Sequence, residues 1–130
     1  MTKKAFVFIA ISLVLALSLA FVGCKGLVKP GQPSVSLNKD SFAPNEPVSV
    51  TFTAPANLPP DAWVGIIPST VPHGDEATND QYDLTYQYLN AMTSGVITLY
   101  APNVPGAYDV RMHDTDNGGK EIASVSFTVQ

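Results

Sequence analysis

The sequence predicts an all-β fold for residues 34–130, a sandwich of two antiparallel sheets with about seven strands. The first observation is a period-two alternation of apolar and polar residues in several short segments. The second is that residues typical of turns separate these segments at intervals of about 8–12 residues. Together they favour strands that turn one face to a core and the other to solvent.

The predicted strands follow one another along the chain. Alternation is present in five segments, residues 35–37, 48–52, 97–99, 108–112 and 123–129. Residues 63–67 (WVGII) are apolar throughout, which predicts a central strand covered on both faces. Residues 80–92 leave two alternatives open, a ragged helical face and an edge strand. No other segment after Cys24 has convincing helical periodicity.

The amino-terminal segment predicts export. Lys3 and Lys4 precede an uncharged apolar stretch over residues 5–22, and charge returns at Lys25, directly after Cys24. This order is typical of an N-terminal signal helix. The stretch is also just long enough to span a bilayer, so an uncleaved membrane helix is the alternative.

Residues 21–24, Phe-Val-Gly-Cys, resemble the lipobox of bacterial lipoproteins. The resemblance implies cleavage before Cys24 and acylation of its thiol by chains such as palmitate. The expected organisation is a signal peptide over 1–23, a lipidated cysteine and tether over 24–33, and a sandwich over 34–130. The domain would be extracytoplasmic and anchored by lipid to a bacterial membrane. Lys25 implies the outer membrane where the cell has two.

Composition narrows the possible partners. After the first 23 residues the chain has five basic and 11 acidic side chains, a net charge of 5 − 11 = −6. Such a charge, without a basic cluster, argues against nucleic acid as a partner. Cys24 is the only cysteine, so the sandwich has no internal disulfide and depends on its apolar core.

Two aromatic residues carry a further resemblance. The run Pro105-Gly106-Ala107-Tyr108 resembles the tyrosine corner of immunoglobulin-like domains, and Trp63 stands on the third strand, where such domains bury a tryptophan. Residues 41–50, 61–66 and 126–129 add landmarks that resemble a bacterial immunoglobulin-like module. This module is similar to the SKICH domains of eukaryotic phosphoinositide phosphatases. The resemblance implies an immunoglobulin-like sandwich with an accessory role, in which Trp63 and Tyr108 are structural.

Two segments are candidate cation sites. Asp114, Asp116 and Glu121 surround an Asn-Gly-Gly sequence that resembles the start of a calcium loop, although the same sequence favours a plain hairpin turn. Residues 73–83 gather four carboxylates and a histidine. They favour either a calcium or zinc site or a solvated loop that protects an edge strand.

Three neighbouring tyrosines are candidates for a ligand face. Tyr82, Tyr86 and Tyr88 lie beside the carboxylates of residues 73–83. Tyrosine rings offer a large contact area at low entropic cost, which suits a sugar or a peptide.

The sequence gives little support for catalysis. It contains neither Gly-x-Ser-x-Gly nor His-Glu-x-x-His, and strand parity places His113 on the solvent side. We therefore expect no enzyme, but a non-catalytic envelope lipoprotein that binds or scaffolds a protein or a glycan. No cofactor is expected, with calcium as a possible exception. The alternatives are a small metal-dependent hydrolase using the 73–83 loop and a calcium-stabilised adhesin.

Overall fold

The computed structural model describes residues 31–130. The expected signal helix, Cys24 and most of the tether lie outside these residues. Among residues 31–130, no helix has both the length and the apolar character needed to cross a bilayer.

Strands make up most of the regular structure, which confirms the prediction of an all-β sandwich. One short helix, α1, covers Glu76–Gln81. The eight strands are β1 Ser34–Leu37, β2 Ser41–Phe42, β3 Pro47–Thr53, β4 Trp63–Pro68, β5 Thr85–Tyr88, β6 Ser94–Tyr100, β7 Gly106–His113 and β8 Glu121–Val129.

The strands form two sheets. The smaller sheet has the order β1-β3-β6, and the larger one has the order β2-β8-β7-β4-β5. All pairs are antiparallel except β2 and β8, which run parallel over two residues. The expected antiparallel sandwich therefore gains one short parallel edge, which the sequence pattern did not indicate.

The main core lies between the two sheets. Strand β3 shows how the alternation builds it, since Val48, Val50 and Phe52 are buried while the residues between them face outward. Three aromatic rings on the larger sheet also contribute to this core. The ring of Phe127 stands edge-on to that of Phe42, with 5.5 Å between the ring centroids, and it stacks on Tyr108 with 5.9 Å between centroids. Tyr108 Oη also donates a 2.7 Å hydrogen bond to the Val104 carbonyl, four residues upstream.

Strand β4 is covered on both faces, as its apolar run predicts. Ala62, Val64 and Ile66 belong to the core between the sheets. Trp63 and Ile67 point the other way and pack with Val71 in a second, smaller apolar cluster. Residues 69–84, which join β4 to β5 and include α1, supply this cover.

Trp63 is buried, but outside the core where an immunoglobulin-like fold would place it. Its ring lies across Gly65, and a Cβ built on Gly65 would come within 2.6 Å of Trp63 Cζ3. Alternation explains the difference, because Ala62 and Val64 already occupy the inward positions on either side of Trp63. Gly65 therefore provides the space in which the indole lies flat on the outer face of the larger sheet.

The structure decides between the helical and the edge-strand alternatives for residues 80–92. Helix α1 begins after Asp75, whose Oδ2 accepts hydrogen bonds from the Thr78 backbone N–H at 3.1 Å and from Thr78 Oγ1 at 2.7 Å. It ends at Gln81, and residues 85–88 then form the edge strand β5. The edge-strand alternative is correct for residues 85–88 of the segment 80–92, and the helix overlaps only its first two residues.

Candidate functional site

A buried ionic network lies under the cover of the larger sheet. Arg111 and Asp109 are neighbours on the outer face of β7, and both are almost fully buried. Arg111 Nη2 and Nε donate to Asp109 Oδ2 at 2.7 and 3.0 Å. Arg111 Nη1 also donates to Asn79 Oδ1 in α1 at 2.7 Å, which fastens the helix to the sheet.

The second oxygen of Asp109 is also saturated. Asp109 Oδ1 accepts hydrogen bonds from Ser69 and Ser126, each at 2.8 Å. Burial alone would raise the pKa of Asp109, but hydrogen bonds from Arg111 and the two serines hold that pKa below its ordinary value. The carboxylate is thus ionised and fully occupied, which suits a structural role.

His73 lies at the rim of this network. Its side chain is 54% exposed, and its Nδ1 lies 2.7 Å from Glu121 Oε2. Its Nε2 lies 3.4 Å from Asp109 Oδ2. The one exposed histidine among residues 31–130 is therefore already held between two carboxylates.

His113 is buried, so the prediction that it faces solvent is wrong. It lies on the outer face of the sheet, as parity requires, but the Trp63 ring stacks on it at 4.0 Å. Within residues 31–130 neither ring nitrogen has a hydrogen-bond partner. Burial, and then the charge of Arg111, lower the pKa of His113 to about 4. The imidazole is neutral at pH 7 and out of reach of a solvent-borne substrate.

Glu76 joins α1 to the loop between β7 and β8. Only 1% of the residue is exposed. Its Oε1 accepts from Trp63 Nε1 at 3.0 Å, and its Oε2 accepts from the Gly118 backbone N–H at 2.9 Å. Burial, followed by the charges of Asp80 and Asp116, raises the pKa of Glu76.

Three carboxylates converge beside this contact. One oxygen each from Glu76, Asp80 and Asp116 lie within 4.8 Å of one another, and we call this group the acidic cluster. Asp116 Oδ2 also accepts a 2.5 Å hydrogen bond from Tyr88, which raises the pKa of the Tyr88 phenol. Among residues 31–130, no lysine, arginine or histidine forms a salt bridge with the cluster.

The structure does not bring Asp114, Asp116 and Glu121 together. Asp114 Oδ1 folds back to accept from the Lys120 N–H at 2.8 Å and so shapes the turn. Glu121 begins β8 and points to His73 and Arg111. Only Asp116 reaches the acidic cluster, where it meets two residues of the predicted 73–83 loop. Both loops can be identified from the sequence, but their contribution to one cluster cannot. The contact between the two loops depends on where α1 packs on the sheet.

The three predicted tyrosines have different environments. Tyr82 and Tyr86 are 50% and 51% exposed. Tyr88 is half-buried, and its hydroxyl group donates a hydrogen bond to Asp116. Tyr86 stands edge-on to both Trp63 and Tyr88, at 6.1 and 5.3 Å between ring centroids. Leu84, which the sequence did not single out, is 54% exposed. We call Tyr82, Leu84 and Tyr86 the β5 apolar group.

A groove of about 630 Å³ lies next to this group. Leu84, Tyr100 and Val104 line it, and all three are more than half exposed. Its walls carry no charged side chain. The β5 apolar group therefore continues into an uncharged groove through Leu84, and Tyr86 contacts Tyr88, which is bonded to Asp116 of the acidic cluster. No protein-family model and no curated protein matches this chain.

Proposed function

We propose that this chain is a non-catalytic lipoprotein of the bacterial envelope, whose domain binds or scaffolds a protein or a glycan. The domain is an immunoglobulin-like sandwich in this proposal. The sheet orders support it, since β1-β3-β6 and β8-β7-β4-β5 match the strand sets A-B-E and G-F-C-C′ of that fold. The bond from Tyr108 to the Val104 carbonyl matches its tyrosine corner.

The observation that carries the binding role is the β5 apolar group. Three large side chains within five residues leave half of their surface in water, although they are held on or next to a strand whose neighbour β4 is buried. Exposed aromatic groups on a rigid element are typical of recognition surfaces. The groups that could perform acid–base chemistry support catalysis less, because Asp109 and His113 are buried and His73 is held by Glu121.

Site-specific photocrosslinking in the envelope tests this role. A photoreactive phenylalanine at Tyr86 or Leu84 should yield defined adducts, whereas the same probe at Thr51, on the smaller sheet, should not. For a glycan ligand, mobility in gels containing cell-wall polysaccharide should be retarded for the natural chain and restored by Tyr86→Ala. Absence of both adducts and retardation would contradict the proposal.

The lipid anchor rests on residues 21–24 and has its own test. Cys24→Ala, or globomycin, should leave uncleaved precursor and abolish labelling by a fatty acid. Normal processing of the Cys24→Ala chain would exclude the lipoprotein assignment.

The acidic cluster favours a second candidate, a calcium-stabilised adhesin, over the metal-dependent hydrolase. Three carboxylates offer the hard oxygen ligands that calcium takes, and no histidine nitrogen is in the cluster. Calcium should then raise the melting temperature while magnesium does not, and Asp80→Asn should remove the difference. Asp61→Asn is the matched control, because Asp61 lies outside the cluster and bonds Thr115.

A further inference from the structure

Within residues 31–130 the two sheets end in four edges that carry no further strand, and one of these edges differs from the rest. Strands β1 and β5 have four residues each and β2 has two, and short edge strands are poor templates for a further strand. Strand β6 has seven residues, SGVITLY, with no charge and no proline. Its register with β3 is continuous from Ser94 to Tyr100, without a bulge. Strand β6 therefore has neither the short length, the charge, the proline nor the bulge that usually protects an edge, although β5 of the other sheet lies beside it.

The hydrogen bonds at both ends of β6 show which backbone groups are free. The Thr93 carbonyl accepts from the Ala54 N–H at 2.8 Å, and the Ala101 N–H donates to the Glu46 carbonyl at 2.9 Å. In an antiparallel pair the residues that bond to one neighbour alternate with those that point away. The odd-numbered residues of β6 thus bond to β3. The N–H and C=O groups of Ser94, Val96, Thr98 and Tyr100 point to the open edge.

The side chains of these four residues are also exposed to solvent. All four are exposed, and Val96 and Tyr100 are 63% and 60% exposed. They continue the outer face of the smaller sheet, where their neighbours on β3 and β1 are mainly serine and threonine, including Ser36, Thr51 and Thr53. This edge therefore offers an uncharged template without a bulge, with apolar contacts at Val96 and Tyr100.

The net charge of the domain limits the places where a second copy of it can bind. Residues 31–130 contain three basic and 11 acidic side chains, a net charge of 3 − 11 = −8. Two copies therefore repel each other over most of their surfaces, because like charges brought together are unfavourable. Contact through β6 places no like charges opposite one another, since residues 94–100 carry none.

We propose that a second copy of this chain binds at this edge, through β6 against β6 in antiparallel orientation. A two-fold axis at Ile97 places Val96 opposite the partner's Thr98 and Ser94 opposite the partner's Tyr100. All four outward residues of each strand then fall in hydrogen-bonded pairs, which exchange two hydrogen bonds each. The dimer contains one six-stranded sheet, β1-β3-β6 continued by the same three strands of the partner, and the contact is isologous.

Charge swapping across the predicted pair tests this register. The full chain is compared with V96E/T98E and V96K/T98E in density-matched detergent by sedimentation velocity. The natural chain should sediment with the protein mass of a dimer. V96E/T98E places two glutamates opposite each other at each pair and should halve that mass. V96K/T98E places a lysine opposite a glutamate and should restore the dimer.

S49E/T51E is the matched control, because Ser49 and Thr51 occupy the same face one strand inward. It should remain a dimer. Circular dichroism checks that each variant keeps its strands, and V96K/T98K replaces V96E/T98E if the latter unfolds. A monomeric natural chain, a dimer that survives the like-charge variant, or a monomer for folded V96K/T98E would overturn the proposal. Loss of the dimer in S49E/T51E would do the same, since it indicates face-to-face packing.

Discussion

The outer faces of the two sheets follow the same alternation but have opposite environments. On the larger sheet three of the outward residues of β7, Asp109, Arg111 and His113, are buried. On the smaller sheet the outward residues of β6 remain in water. The difference comes from residues 69–84, which fold back over the larger sheet, whereas no segment of residues 31–130 covers the smaller one.

Apolar–polar alternation in a strand does not by itself specify whether a residue is buried. A period of two tells which residues share a face, but not whether another part of the chain covers that face. A charged residue on a covered face needs partners, and Arg111 has several. A residue on the open face needs none. Substitutions on the two faces should therefore have very different effects on stability.

Arg111→Met should have the largest effect. It removes the cation that compensates buried Asp109, and an unpaired buried charge costs about 3–5 kcal/mol in the free energy of unfolding. Urea denaturation followed by circular dichroism measures this loss. The double substitution Arg111→Met with Asp109→Leu should recover part of it. A loss below about 1 kcal/mol would show that the network is not structurally important.

The stability of the covered face should also depend on pH. His113 has a pKa of about 4 when folded and about 6.5 when unfolded, so the unfolded state binds more protons between these values. The free energy of unfolding should therefore fall as pH decreases from 6.5 to 4, by at most about 3 kcal/mol from this group.

His113→Phe should remove this loss while keeping a ring against Trp63. The raised pKa values of Glu76 and Asp83 act in the opposite direction, since they lower stability as pH rises above the ordinary values of these carboxyl groups. Compared with the natural chain, the His113→Phe variant should therefore gain free energy of unfolding as pH decreases from 6.5 to 4. Urea midpoints at pH 4.5 and 6.5 measure the change, and an unchanged pH dependence would rule out His113 as its cause.

Gly65→Ala should have an intermediate effect. The added methyl group would lie 2.6 Å from Trp63 Cζ3 and 3.0 Å from the Thr85 carbonyl oxygen, and such overpacking costs roughly 1–3 kcal/mol. Gly95→Ala on the smaller sheet is the control, with a closest contact of 3.3 Å to Phe52. Thermal melting should rank Gly65→Ala as the less stable variant, and Trp63 fluorescence should shift only there.

Thr51→Lys should have the smallest effect. Thr51 lies on the open face of β3, where a longer side chain meets only solvent, so the free energy of unfolding should change by less than about 0.5 kcal/mol. The same urea titration measures it. A larger change would mean that this face is covered in solution.

The elements that depend on local pattern could be predicted from the sequence. The alternation in β3 and the apolar run of β4 indicate their burial correctly, because each pattern reflects the contacts of that strand alone. The burial of His113 and the meeting of Glu76 with Asp116 could not be predicted. Both depend on where the six-residue helix α1 lies, and so short a helix has almost no periodicity. The Asp75–Thr78 cap is the one local signal that could have located it.

The place where the chain enters the sandwich has a geometrical consequence. Ser34 faces Thr53, and Thr53 faces Ser94, so the leading end of the sandwich is opposite the end formed by Pro47 and Tyr100. A seven-residue strand is about 23 Å long, so the groove beside Tyr100 lies about that far from Ser34, where β1 begins. Antiparallel pairing through β6 would put the two leading ends at opposite extremes of the shared sheet. In such a pair, a flat surface that contacts both Ser34 ends runs along the strands of the shared sheet.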